Sequence, residues 1–417
     1  MRTLLIILLV IAAVLGALAL YLFLTTPGDA TPLRVPLSAA QRELLARVPA
    51  AADSFALIPT AALLHRRLLA NPVSHDVVAR WTSEQPVPSP LLIGGGDVVA
   101  WKIGKRTSYA IRLDPLRAFL VRAWMMGSSD VAARWDGRLF VINATQGPPI
   151  DARTLDELLQ LANGLEGNVL AVQRNPARGV FPPIGRPSVS VVGVTPREIV
   201  ITSRALEGGR PVRPPEGGRD VRPPDHPPVQ ARFPRGALLS ATFARPPRIL
   251  DDVERLLGTD LSALVEGGGA VALYDIDAGT LLPRPKGVIV VPSSPEARVA
   301  MDVVIRVADV LGETRDTGRE LLVSFDRQSA GLYSKDAFVP ATWPANLWAL
   351  RIDAARIVPI LERLGDNRGL RIVAPRLHRA ARDLRRWIAA LQNAEAIEAS
   401  DSLTGGVEEL RVRIASK

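Results

Sequence analysis

The sequence predicts an α+β protein: a single N-terminal transmembrane helix followed by two pseudo-repeated α+β lobes with largely antiparallel sheets. Three observations point there. Residues Leu4 to Leu24 form an almost unbroken apolar run. A tandem low-complexity repeat within residues 206–236 divides what remains into halves of similar length. The order of strand and helix signals before that break recurs after it.

The apolar run matches the roughly 30 Å hydrocarbon core of a bilayer at a rise of about 1.5 Å per residue. A cleaved secretory signal has an apolar centre of only about 7–15 residues and small residues at the cut. Ala17-Leu18-Ala19 offers such a cut, but it leaves Leu20-Tyr21-Leu22-Phe23-Leu24 as an apolar new terminus. The run therefore reads as an uncleaved signal anchor over 4–24, with residues 1–3 as a cytoplasmic stub. Arg2 and the free amino group precede it, and Thr25-Thr26-Pro27-Gly28-Asp29 follow, so the positive end is expected to stay in the cytoplasm. The expected location is the inner (cytoplasmic) membrane, crossed once, with the body periplasmic or extracellular.

Composition suits an exported globular body. The 417 residues are 47% hydrophobic and 22% charged, enough apolar material for one large or two medium cores. The absence of cysteine excludes disulfides, thiolate metal sites and a thiol nucleophile. The formal net charge of +9 comes mostly from Arg, because Lys occurs only at Lys102, Lys105, Lys286, Lys335 and Lys417. Basic residues are scattered among acidic ones and aromatics are only 5%, so nucleic acid is not an expected partner.

Residues 25–49 read as a juxtamembrane spacer with a short helix from Ser38 to Arg47. The first α+β lobe is expected over 50–205. It opens with a strand at Ser54 to Ile58 and a helix from Thr60 to Ala70 with apolar positions at helical spacing. Gly94-Gly95-Gly96 leads a strand ending near Trp101, and Tyr109 to Leu113 is a further strand. Asp114 then caps a helix with Pro115 at its first position. Ser188 to Val194 and Glu198 to Ser203 close the lobe as a strand pair.

Residues 206–236 form a Pro/Gly/Arg-rich linker in which two similar nine-residue stretches follow each other, from Glu207 to Pro215 and from Glu216 to Pro224, with no apolar face. The second lobe is expected over 237–417 in the same order. Ala237 to Phe243 is a strand, Pro247 to Leu257 a helix, and Gly267-Gly268-Gly269 leads the next strand. Gly287 to Val291 is followed by a helix capped by Ser294. Ala394 to Ser400 and Val407 to Ala415 are the closing pair. Trp348 to Asp353 echoes Tyr109 to Asp114 at a non-equivalent place, with Asp353 as helix cap. Antiparallel strands with helices on one face are the expected arrangement.

Few residues offer chemistry. Each glycine triplet precedes a strand, whereas a phosphate loop follows one and opens a helix, so Gly94 to Gly96 and Gly267 to Gly269 read as structural turns. His65, His75, His226 and His378 lack metal-site spacing, and His65 and His378 read as solvated. Asp275 and Asp277 share one strand face and read as its solvated side rather than as an acid/base or metal pair. There is no nucleophile elbow or Ser-x-x-Lys set. From Pro375 to Gln392 an apolar stripe at helical spacing leaves Arg376, Arg379, Arg382 and Arg386 on another face. This ridge is a candidate contact for an anionic ligand or lipid headgroup. No catalytic residue, metal ligand or cofactor is implied.

The anchor, the opening Ala51-Ala52-Asp53-Ser54-Phe55-Ala56-Leu57-Ile58, the glycine-led strands and the closing strand pair together resemble an uncharacterised family of bacterial membrane-anchored exported proteins, a domain of unknown function. The resemblance implies an anchored envelope body and assigns no catalytic residue. The expected function is a non-enzymatic bitopic envelope protein that binds or scaffolds an envelope protein, lipid or acidic polymer. The alternatives are a carrier or sensor of an apolar ligand held between the lobes, and a hydrolase with sequence-scattered catalytic residues.

Overall fold

A computed structural model of the chain describes Thr25 and residues 33–84, 93–126, 133–136, 139–142, 147–175, 187–206, 232–244, 268–277, 283–299, 302, 313–343, 345, 347–367, 369, 371 and 388–417. The anchor at 4–24, the tandem repeat, the helix expected at Pro247 to Leu257, Gly267, and Arg376, Arg379, Arg382 and Arg386 lie outside the described residues. Among the described residues, no helix is long and apolar enough to cross a membrane. The protein is α+β with antiparallel sheets and divides into two compact units, Met1–Pro214 and Pro215–Lys417.

The first unit runs β1 (Leu33–Arg34), α1 (Ala39–Leu45), β2 (Ser54–Ile58), α2 (Ala61–Ala70), α3 (Pro72–Glu84), β3 (Val98–Ile103), β4 (Arg106–Arg112) and α4 (Pro115–Met126). It continues with β5 (Ala133–Asp136), β6 (Leu139–Ile142), α5 (Ala152–Leu161), β7 (Glu166–Gly167), β8 (Val169–Gln173), β9 (Ser188–Val194) and β10 (Glu198–Leu206). Eight of these strands pair in the order β5-β6-β4-β3-β2-β8-β9-β10, and β1 pairs with β7 apart from them.

Local chemistry starts the helices, and the Asp114 cap stands where the sequence assigns it. Ser38 and Gln41 form a reciprocal capping box on α1. Asp114 Oδ1 accepts the backbone N–H groups of Leu116 and Arg117 at 3.1 and 3.0 Å, opening α4. Asp151 accepts from the Thr154 backbone at 3.0 Å, opening α5. Between α2 and α3, the fully buried Asn71 accepts from the Val73 backbone at 3.0 Å and donates to the Thr195 carbonyl at 2.8 Å. Leaving such a buried amide unpaired costs about 1–3 kcal/mol, so this residue fastens the α2–α3 corner.

Alternation along β2 sorts its side chains to two faces. Phe55 and Leu57 pack with Leu44 and Leu45 of α1 and Leu155 and Leu159 of α5. Ala56 and Ile58 pack on the opposite side, where Leu64 of α2 and Val121 of α4 cover the sheet. Helices therefore lie on both faces of this sheet, not on one. The unbroken burial of β8, Val-Leu-Ala-Val-Gln, follows from that double cover.

The spacer expected over 25–49 is corrected in its second half. Leu33, Leu37, Leu44, Leu45 and Val48 are buried in the core of the first unit, and β1 pairs with β7. Burying Leu44 or Leu45 removes enough apolar surface to stabilise the unit by about 2 kcal/mol each. These residues belong to the folded body.

The second unit runs β11 (Arg232–Pro234), β12 (Leu239–Phe243), β13 (Gly269–Asp277), β14 (Arg284–Pro292), β15 (Thr314–Asp316) and β16 (Glu320–Ser324). It continues with α6 (Ser329–Lys335), β17 (Phe338–Pro340), β18 (Trp348–Asp353), α7 (Ala354–Asp366), α8 (Ile388–Gln392), β19 (Ala394–Thr404) and β20 (Val407–Ser416). Its strands pair in the order β15-β16-β14-β13-β12-β18-β19-β20, with β11 and β17 as a separate pair. Position for position, this is the order of the first unit advanced by ten strands, the small separate pair included. Ser294 Oγ accepts from the Ala297 backbone at 3.0 Å and Asp353 caps α7. Both caps stand where the sequence assigns them.

On one face of the second sheet, α6 packs near Ala272, Tyr274, Val288 and Val290. Leu238 and Ile276 belong instead to a cluster with Ile360 and Leu364 of α7. A bulge in β13 explains how Tyr274 and Ile276, two residues apart, join different clusters: Leu273 pairs with Gly287, but Asp275 pairs with Lys286, so Tyr274 is the extra residue. Farther along, Glu398 of β19 is buried between cross-strand arginines, bonded to Arg351 of β18 and 3.7 Å from Arg413 of β20.

Candidate functional site

A cleft of about 990 Å³ in the first unit lies between the Gly94-Gly95-Gly96 turn, the end of β4, the start of α4 and Trp135 of β5. Its organising residue is Arg117, only 4% exposed. One guanidinium nitrogen donates to Asp114 Oδ2 at 2.8 Å, and the other donates to Thr25 Oγ1 at 2.9 Å. Asp114 therefore serves twice, capping α4 with one oxygen and holding Arg117 with the other.

The glycine turn makes room for this arrangement. Gly94 has φ +59°, and a Cβ there would meet the Arg117 guanidinium at 2.2 Å. The carbonyls of Gly94 and Gly96 accept the backbone N–H groups of Ala62 and Ala61 at 3.4 Å, finishing the start of α2. The turn thus shapes the cleft and caps a helix with its carbonyls.

The rim is mixed in character. Phe119 is 65% exposed and Leu116 36%, one helical turn apart on α4. Arg122 is exposed and lies 5.6 Å over the Trp135 ring, a cation–π contact. Arg112 donates to Glu43 at 2.8 Å. Behind the turn, burial raises the pKa of the Asp97 carboxyl above its ordinary 3.8, opposed by a hydrogen bond from the Thr60 backbone, the Arg112 charge and a hydrogen bond from Gln41.

A second cleft, about 460 Å³, lies in the second unit among β13, β14, α6 and α7. Arg356 donates to the carbonyls of Gly236 and Tyr274 at 2.7 and 2.9 Å. Asp336 accepts the Gly236 N–H at 2.8 Å, and Asp326 caps α6 by accepting from the Gln328 and Ser329 backbone. Lys286 donates to Asp275 at 3.0 Å. Tyr274 is 7% exposed, and burial with the nearby Asp336 charge raises its pKa above the ordinary value. Burial, then the Glu320 charge, pushes Tyr333 up to about 12. Both phenols are neutral at physiological pH. The charged groups here hold the turn before β12, α6 and α7 together.

The residues singled out from sequence are distributed as follows. Gly94, Gly95 and Gly96 stand at the first cleft. Gly268, with φ +76°, and Gly269 open β13; a Cβ on Gly268 would meet the Phe243 carbonyl at 2.7 Å, so this turn is needed for strand approach. Asp275 is half-exposed and ion-paired, and Lys286 lowers its pKa first through their hydrogen bond. His75 faces Asp76 at 3.0 Å. His65 departs from the solvated reading: it is half-buried on α2, its Nε2 has no partner, and burial lowers its pKa. Asp53 accepts from the Gly104 N–H at 2.7 Å and from Asn175 at 3.2 Å, which makes it the clasp of the β3–β4 turn. Among the described residues no three His, Asp or Glu side chains gather as a metal site.

Sequence reading did not single out Arg112, Arg117, Phe119, Arg122 or Trp135. The available signal was Asp114-Pro115 followed by Arg117, with an aromatic residue on the outward side of the helix. The class defined so far is an α+β protein of two units with one strand order, the first bearing an amphiphilic cleft. No family model, curated protein or solved structure matches the chain.

Proposed function

We propose that this is a single-pass, membrane-tethered envelope protein whose exported two-unit body binds or scaffolds another envelope component. Residues 4–24 are the anchor, the amino terminus is cytoplasmic, and the body lies on the other side of the membrane. Kinship with anchored exported proteins of unassigned function and origin of the units by internal duplication belong to the same reading. The observation that carries it is the bond from Arg117 to Thr25, the residue directly after the apolar run. A tether held at a cleft fits a body that works at the membrane surface. The duplication is supported by the matching strand orders.

Topology is the direct test. Alkaline phosphatase fused after Lys417 is expected to be active, a fluorescent protein that matures only in the cytoplasm is expected to be dark there, and the intact chain should resist carbonate extraction. The opposite reporter pattern would overturn the orientation, and release by carbonate would overturn the anchor.

A further inference from the structure

We propose that the outer face of α4 is a membrane-contact surface, with Leu116 and Phe119 entering the boundary of the acyl region and Arg122 meeting anionic phospholipid headgroups. The inference rests on the anchor reading above. Chain length supplies the geometry. If Leu24 ends the span, Thr25 follows within about 3.6 Å of chain, and each headgroup layer is about 5–7 Å thick. Arg117 is 2.9 Å from Thr25, so the start of α4 lies at headgroup depth.

The surface presented there suits that environment. Leu116, Phe119 and Arg122 follow at intervals of three along a helix of 12 residues, on the outward side from the buried Arg117 and Val121. An aromatic side chain 65% exposed beside a second exposed apolar residue is costly in water and favourable at a bilayer interface. Arg122 adds headgroup attraction, while Trp135 holds it from below. Arg112 and Arg117 are matched by Glu43 and Asp114, so the net charge of the face is small. The apolar pair therefore carries the contact and anionic lipid strengthens it.

The cysteine-free chain permits a clean test with the full-length protein. Phe119→Cys and, as control, Lys105→Cys are each labelled with an environment-sensitive fluorophore and reconstituted in bilayers of phosphatidylglycerol and phosphatidylcholine. Lys105 is in the turn at the far end of the β3–β4 hairpin, about 20 Å along the strands from α4. Bromine-bearing lipid is expected to quench the label at 119 about threefold more than that at 105, with a blue shift at 119 only. Arg122→Glu, or omission of phosphatidylglycerol, is expected to reduce that difference about two- to fivefold. Equal quenching at 119 and 105 in a carbonate-resistant protein overturns the inference and leaves the anchor reading standing. Release of the parent chain by carbonate removes both.

Discussion

Asp97 and His65, both half-buried, tie stability to pH in opposite directions. The folded pKa of Asp97 is raised, chiefly by burial, so the fold prefers its protonated form. Its contribution to stability grows as pH falls through the folded value and is complete below the ordinary 3.8. Asp97→Asn removes the buried charge and is expected to be at least as stable as the parent at pH 7, an advantage that shrinks towards pH 4. Urea titrations across that range check it, and a variant weaker than the parent at pH 7 contradicts it. The folded pKa of His65 is lowered by burial, so its contribution is present above the ordinary 6.5 and is lost as pH falls through the folded value.

At the level of elements, residues 33–49 give the sharpest outcome. Helix α1 carries Gln41, Arg42 and Glu43 in its middle, as a surface spacer would, yet Leu44 and Leu45 are fully buried beneath the sheet. Leu44→Ala is expected to destabilise the first unit by about 3 kcal/mol, through lost burial and the cavity left behind. Denaturant unfolding followed by tryptophan fluorescence, in a variant that keeps Trp101 of this core and replaces the other six tryptophans with Phe, reads this. A loss under about 0.5 kcal/mol, typical of a surface change, would restore the spacer reading.

For the whole molecule, the repeated strand order makes a prediction about where stability resides. In each unit the central strands are hydrogen-bonded on both sides, β2 by β3 and β8, and β12 by β13 and β18. The outermost strands β5 and β15 are paired on one side only within their units. Amide hydrogen exchange is expected to be slowest at β2 and β12 and fastest at β5 and β15, the same profile twice along the chain. Protection concentrated in one unit alone would mean that the common strand order does not carry a common stability.

Much of this was legible in the sequence because it depends on neighbours along the chain. Caps at Asp114, Ser294 and Asp353 are set by contacts within four residues, and alternation fixes short strands such as Ser54 to Ile58. The recurrence of strands around two glycine turns made the repeated order readable. What depends on partners far along the chain was not. Only packing showed that α1 covers the sheet, that both sheet faces carry helices, and that a bulge at Tyr274 brings Asp275 opposite Lys286. The same holds for the cleft: Asp114 and Arg117 are three residues apart, but the burial of Arg117, the space left for it by Gly94 and its bond to Thr25 meet only in three dimensions. Sequence determined the local elements and their repetition, because those are short-range backbone preferences. Tertiary structure decided which arginine is buried and which phenylalanine is left exposed, because burial is set by what packs alongside.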